Sequence, residues 1–208
     1  MSHTVLNVET SPLGDYSVSR KLSAKVLAEL KEKYVETQIV TRDLTTSPLP
    51  HLSGLTVGAF FTPPEQRNEA QIEALKLSDE LVDELFAADI VVIGAPMWNF
   101  GIPSSLKAWI DHIARAGRTF KYGANGPESL LPPGKKVFIT SSRGGVYTSG
   151  PMEVMDHQES YLKAVLGFIG LHDVTFIRAE GVAKGEDAVK NAMETADGQL
   201  KKAIKLIA

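Results

Sequence analysis

Residues Asp89 to Ser105 read DIVVIGAPMWNFGIPSS. The first half, Ile90-Val-Val-Ile93, is a short β-branched run without polar alternation, the pattern of a strand buried on both faces. The second half sets a Trp, an Asn and a Phe between Pro96 and Pro103, where such a strand surfaces. Prolines end the pairing there, so the aromatic residues belong to a turn rather than to the strand.

Working outward, four similar runs flank this one: Val5-Leu-Asn-Val8, Thr37 to Thr41, Lys136 to Thr140 and Val174 to Ile177. Segments of helical period lie between them. Leu22, Val26, Leu30 and Tyr34 share one helix face, and Ile72, Leu75, Val82 and Phe86 share another. Leu106, Ile110, Ile113 and Gly117 mark a third helix, and Tyr161, Val165 and Phe168 a fourth. Val189, Met193, Ala196, Leu200 and Ile204 form the stripe that closes the chain. Strands buried on both faces and alternating with helices predict a doubly wound α/β domain with a five-stranded parallel sheet. The expected order is the flavodoxin-like 2-1-3-4-5, which places a binding crevice outside the carboxyl ends of the first and third strands.

Two segments interrupt the rhythm. Thr45 to Pro64 is rich in Pro, Gly, Ser and Thr and delays the second helix. Gly117 to Gly134 reads as a loop, longer than the roughly 12 residues that usually suffice, a length typical of lids.

The chain has 208 residues, 43% hydrophobic and 23% charged, which suits one well-cored domain over residues 1–208. Lys and Arg number 22 against 25 Asp and Glu, a net charge of -3 that offers neither nucleic acid nor a membrane surface a basic footprint. There is no cysteine, which removes thiolate catalysis, disulfides and cysteine-ligated metals. No leader pattern and no long apolar run is present, so a cytoplasmic location is expected. The five histidines form no metal-ligand spacing, and no metal is expected.

Three unusual clusters fall just beyond the first, third and fourth strands. Thr10 to Arg20, TSPLGDYSVSR, carries Ser11, Ser17 and Ser19 at the start of the first helix. These hydroxyls and the free backbone N–H groups make either a phosphate cup in the field of the helix or an ordinary helix cap with a Ser-Pro turn. Neither a Walker A loop nor G-x-G-x-x-G occurs, which favours a mononucleotide. Met97 to Gly101 mixes amides with two aromatic rings, as a flat heterocycle requires, or else places Trp98 and Phe100 in the core. Ser141 to Gly150 carries Arg143 and the Gly144-Gly145 pair, either a ring-edge site or a plain loop. His112, His157 and His172 read as structural.

SPLGDYSVS, APMWNFGIPSSLKAWIDHIARAGRTFKY, NGPESLL with GKKVFITSSRGG, and YLKAVLGFIGLHDVTFIRAEG closely resemble the FMN-dependent NADH-azoreductases and quinone reductases of bacteria, over nearly the whole chain. The resemblance implies that Ser11, Ser17 and Ser19, with the Val18 amide, hold the FMN phosphate. It further implies that Met97, Trp98, Asn99 and Phe100, with Ser142, Arg143, Gly144 and Gly145, flank the isoalloxazine ring. Trp98 stands where Tyr is commoner, which keeps the ring but removes a phenol. The implied donor is NADH, or NADPH, and the implied acceptors are quinones, azo dyes and nitroaromatics. Hydride would pass through flavin N5 in a ping-pong cycle, with no side-chain acid or base assigned. A homodimer with the site at its interface is also implied, covered by the loop carrying Phe120 and Tyr122. The alternatives are an electron carrier of flavodoxin type, against which the modest charge argues, and a non-catalytic nucleotide-binding module.

Overall fold

The computed structural model describes residues 2–207. Five parallel strands form one sheet: β1 (Ser2–Glu9), β2 (Glu36–Asp43), β3 (Ile90–Pro96), then, beyond an antiparallel pair of short strands, β6 (Lys136–Arg143) and β7 (Asp173–Glu180), in the order β2-β1-β3-β6-β7. That is the expected 2-1-3-4-5 arrangement. β3 lies at the centre with every residue buried, which explains why it reads as an unbroken apolar run.

The period of two along each strand deals side chains to two cores. Val5, Ile90, Val92 and Phe138 pack on one face against α1 (Val18–Lys33) and α6 (Glu186–Leu206), through Leu22, Val26, Leu30 and Leu200. Leu6, Val91, Ile93 and Ile139 pack on the other against α3 (Glu69–Ala87), α4 (Ser104–Ile113) and α5 (His157–Phe168). Local chemistry sets the helix boundaries. An Asn68–Gln71 capping box opens α3, and Lys135 Nζ donates to the terminal carbonyls of Phe86 and Ala88 to close it.

Several expectations need correction. The Thr45 to Pro64 stretch contains an eight-residue helix, α2 (Gly54–Phe61), capped by Ser53, whose Oγ accepts from Thr56 N at 3.1 Å. Two glycines in eight residues mask it, because it depends on packing against α3 rather than on propensity. The Gly117 to Gly134 loop contains an antiparallel hairpin of β4 (Phe120–Gly123) and β5 (Gly126–Ser129). Phe120 packs edge-on to Phe168 at 4.5 Å, and Ser129 Oγ donates to Ile169 O at 2.8 Å, so tertiary contacts hold what the sequence pattern leaves open. The third helix stops at Ile113 rather than reaching Gly117, because Thr119 Oγ1 takes the Ile113 carbonyl at 2.7 Å. Tyr34 is the residue that caps α1, and Ile72 is exposed rather than buried.

β1 also places polar groups inside. Asn7 and Glu9, on the same face as Val5, are each 4% exposed. Gly94 of β3 makes room for the latter: a Cβ there would lie 2.5 Å from Glu9 Oε2 and 3.1 Å from Ser23 Oγ. Gly94→Ala should therefore overpack the sheet on the α1 side and cost about 2 kcal/mol. Urea unfolding measures it, and an unchanged midpoint would show that Glu9 moves aside freely.

Candidate functional site

The loops after β1, β3 and β6 emerge side by side and are tied together. Thr10 Oγ1 donates to Gly94 O at 2.5 Å, and Met97 N–H donates to Ser142 O at 2.8 Å. The expected convergence is a geometric fact.

In the first loop, Ser17 is the N-cap of α1, its Oγ accepting from Arg20 N at 3.3 Å. Ser11, Ser17 and Ser19 are all at most 2% exposed, and the Ser17 and Ser19 hydroxyls lie 3.1 Å apart. The capping reading is thus correct for Ser17. It leaves the N–H groups of Val18 and Ser19 without an acceptor among the described residues, at the positive end of a 16-residue helix. These donors and hydroxyls fit an anion. Arg20, absent from the expected set, shapes the loop: its Nε donates to Ser11 O at 3.0 Å while its terminal nitrogens hold Asp43 at 2.7 and 2.9 Å. The Arg20 guanidinium keeps Asp43 well below the usual carboxylate range.

In the second loop, Trp98 N–H donates to Gly101 O, and Gly101 N–H to Trp98 O, both at 3.0 Å. Two central residues in the left-handed region, Asn99 at φ 47° and Phe100 at φ 69°, make this a tight I′-type turn. Asn tolerates that backbone but Phe does so at a cost of about 1 kcal/mol or more. His157 N–H, at the start of α5, fixes the turn by donating to Phe100 O at 3.1 Å. Trp98 is 45% exposed, so the alternative that it serves the core is excluded. It borders, with Asn99, Thr10, Thr45, Ile102 and Pro103, a cleft of about 810 Å³, room enough for a flat aromatic molecule.

The third loop differs from expectation in one residue. The Arg143 side chain is fully buried and turns inward, donating to Ser141 Oγ (3.0 Å), Asp156 (2.9 Å), Glu159 (2.7 Å) and Glu180 (3.3 Å). Its guanidinium therefore lines no cleft. Burial works to raise Glu159, but Arg178, Arg143 and Lys163 outweigh it and hold the carboxyl below its ordinary range. Gly144 and Gly145 have their carbonyls bound by the amides of Ala183 (3.2 Å) and Gly181 (2.9 Å), and their own N–H groups have no acceptor among the described residues. Gln158, also unforeseen, joins the ends of β3 and β6: Nε2 donates to Ala95 O at 3.1 Å, and Oε1 accepts from Ser141 Oγ at 2.9 Å. His112 is buried with Nε2 3.0 Å from Pro50 O, a structural placement.

The fold is shared with known proteins. Residues 3–204 match the family described as having a flavodoxin-like fold. An FMN-dependent NADH:quinone oxidoreductase of Herminiimonas arsenicoxydans is 53% identical over 190 residues, 91% of this chain and 92% of that protein. One of the same description from Azospirillum brasilense is 51% identical, covering 94% and 95%. Among solved structures, an azoreductase from Bacillus anthracis str. Sterne is 31% identical with TM-score 0.85, covering 99% of this chain and 98% of that one. An FMN-dependent NADH-azoreductase from Bacillus anthracis str. Ames Ancestor, in complex with FMN, is 26% identical with TM-score 0.86 over 99% and 98%. The chain belongs to this flavodoxin-like family, alongside relatives described as FMN-dependent NADH:quinone oxidoreductases.

Arg143→Met should leave three carboxylates facing an apolar side chain and cost about 3 kcal/mol or more, whereas Arg143→Lys, which keeps the charge but not the fork, should cost less. Urea unfolding of both variants checks the order; equal midpoints for Met, Lys and wild type would show the cluster to be energetically neutral.

Proposed function

We propose that this chain is an FMN-dependent oxidoreductase that takes reducing equivalents from NADH, or NADPH, and reduces quinones and aromatic azo compounds. The observation that carries the reading is that the unbonded first-turn amides of α1 and the exposed Trp98–Gly101 turn belong to adjacent loops at one edge of the sheet, with Thr10 and Pro12 of the first loop lining the Trp98 cleft. A mononucleotide needs an anion site and a flat ring site side by side, and these loops supply both.

FMN, when bound, would supply the hydride-transfer chemistry between a nicotinamide and the acceptor. The residues of this chain bind and orient. Ser11, Ser17 and Ser19, with the Val18 and Ser19 amides, take the phosphate. Met97 to Phe100 bear on the ring, and the bonds from Gly101 and His157 keep that turn from relaxing. Ser142 contributes through its backbone bond to Met97, and Arg143 through the carboxylates it holds beneath the loop. The Gly144 and Gly145 N–H groups are oriented donors for negative charge at the ring edge. Trp98 and Ile102 give the cleft an apolar wall that excludes water and accepts flat aromatic acceptors, nitroaromatics included. No side chain is assigned as an acid or base. A homodimer in which the β4–β5 hairpin, with Tyr122 exposed, covers the partner's site agrees with the open cleft of a single chain.

Replacing Ser17 and Ser19 together by Ala should weaken FMN binding by about 2 kcal/mol, roughly 30-fold. Part of the effect on folding comes from the lost cap, about 1 kcal/mol, so FMN titration is paired with urea unfolding. Unchanged FMN affinity in a destabilised variant would return both serines to a structural role. Anaerobic addition of NADH to the FMN-loaded protein should bleach its visible flavin band within the mixing time of a stopped-flow instrument, and a quinone should restore it. A flavin band that NADH and NADPH both leave intact over minutes would favour a carrier of single electrons.

A further inference from the structure

Behind the first turn of α1 lies a buried polar chain that the proposed chemistry does not use. Thr140 Oγ1 of β6 lies 2.8 Å from Ser23 Oγ and 3.2 Å from Ser19 O, and Ser23 Oγ lies 3.2 Å from the same carbonyl. A longer bond reaches Ile93 O at 3.4 Å. Glu9 Oε2 and Ser23 Oγ both border Gly94, 2.5 Å and 3.1 Å from where a Cβ there would lie, and Asn7 is two residues earlier on the same strand face. Glu9 Oε2 and Asn7 Oδ1 are both buried acceptors without a hydrogen-bond partner. The two hydroxyls have two protons to offer, and the Ser19 and Ile93 carbonyls already claim them. Neither hydroxyl then has a proton left for Glu9 Oε2, and a buried oxygen without a donor is poorly tolerated.

We propose that Glu9 is held as a neutral carboxylic acid behind the phosphate cup and is a positioning residue for it. Its proton supplies the missing donor in the chain from Asn7 through Ser23 and Thr140 to the Ser19 carbonyl, and so fixes the first turn of α1. Ionisation would place an unbonded negative charge behind amides meant for an anion, opposing the helix field. Burial pushes Glu9 above the ordinary carboxylate range, against the smaller pulls of Ser23, Arg20 and Asn7, with Asp43 adding to the rise. The charged groups that face it are few: Arg20 from α1, already committed to Asp43 of β2. β3 opposes it with Gly94 and β6 contributes Thr140, neither of which titrates.

This inference rests on the reading that the cup takes the FMN phosphate, and the tests separate the two. First, FMN affinity is measured for wild type and Glu9→Gln across the whole pH range over which both stay folded. The titrations of FMN itself are common to both, so their ratio reports Glu9. The Gln variant should match wild type at low pH and bind roughly tenfold tighter at high pH, the scale of one buried like-charge interaction. Superimposable profiles would overturn the positioning role.

Second, the protonation state is read without any substitution, from the side-chain carboxyl carbons of 13C-glutamate-labelled apoprotein. One signal should remain in the neutral form at pH values where the other glutamates have ionised, and Glu9→Gln should remove it. Ordinary titration of every glutamate would sink the proposal. Third, a carboxyl raised on folding stabilises fully below its unfolded pKa and loses that contribution as pH rises through the folded one. The urea midpoint of wild-type apoprotein should therefore fall relative to Glu9→Gln as pH increases; parallel curves would again count against a neutral Glu9. Should the serine double variant keep full FMN affinity, the cup reading fails by itself, while the carbon signals and the urea curves still decide the state of Glu9.

Discussion

One guanidinium without solvent contact, that of Arg143, holds the ends of the sheet in register with the loops beyond them. It gathers Asp156 and Glu159 from the start of α5 and Glu180 from the end of β7, while its Nε reaches Ser141 on its own strand. Asp156 is at the same time the cap of α5, accepting from Gln158 N and Glu159 N. Fixing that cap fixes the next two residues. His157 offers its N–H to Phe100, and Gln158 reaches between Ala95 and Ser141. Glu180 passes the constraint on by accepting from Tyr147 N at 2.8 Å. A buried charge fully matched by hydrogen-bonded carboxylates is costly to form piecemeal but rigid once complete.

That rigidity explains how the aromatic turn keeps an unfavourable backbone. Phe100 at positive φ would relax if its carbonyl were free, and the α5 amide prevents it. The result is a preorganised surface: Trp98 stands half-exposed over a cleft instead of collapsing into the core. On the other side of the crevice, the Arg20–Asp43 pair does similar service for the serine loop, holding the Ser11 carbonyl while α1 leaves its first amides open. The ligand site proposed at this edge would thus draw on polar networks that lie one layer beneath its surface residues.

Much of the fold is legible along the chain, because its physics is periodic. Five short apolar-rich runs name the strands, and the burial of β3 on both faces follows from Ile90 to Ile93 alone. The loops proposed to form the site also stand out along the chain, since the Trp98–Phe100 turn and Gly144-Gly145 are residue choices that ordinary loops do not need. What stays hidden is whatever packing decides. GLTVGAFF carries two glycines and becomes a helix against α3; FKYGANGPES has little strand character and becomes a hairpin against Phe168. One signal was present and passed unread: Asn7 and Glu9 interrupt a strand that should be apolar on both faces.

By itself, then, the order of residues determined the parallel sheet, its helical layers and the edge at which a ligand site could form, since hydrophobic period and loop chemistry act locally. Only the tertiary structure decided which way long side chains point. Arg143 had the chemistry to meet a ligand or to bury itself, and the carboxylates that turn it inward come from positions 13, 16 and 37 residues further along the chain. The same holds for Glu9, whose proton becomes a question only once Ser23 and Gly94 close around it. Charge pairing over such separations depends on distances that sequence spacing does not carry.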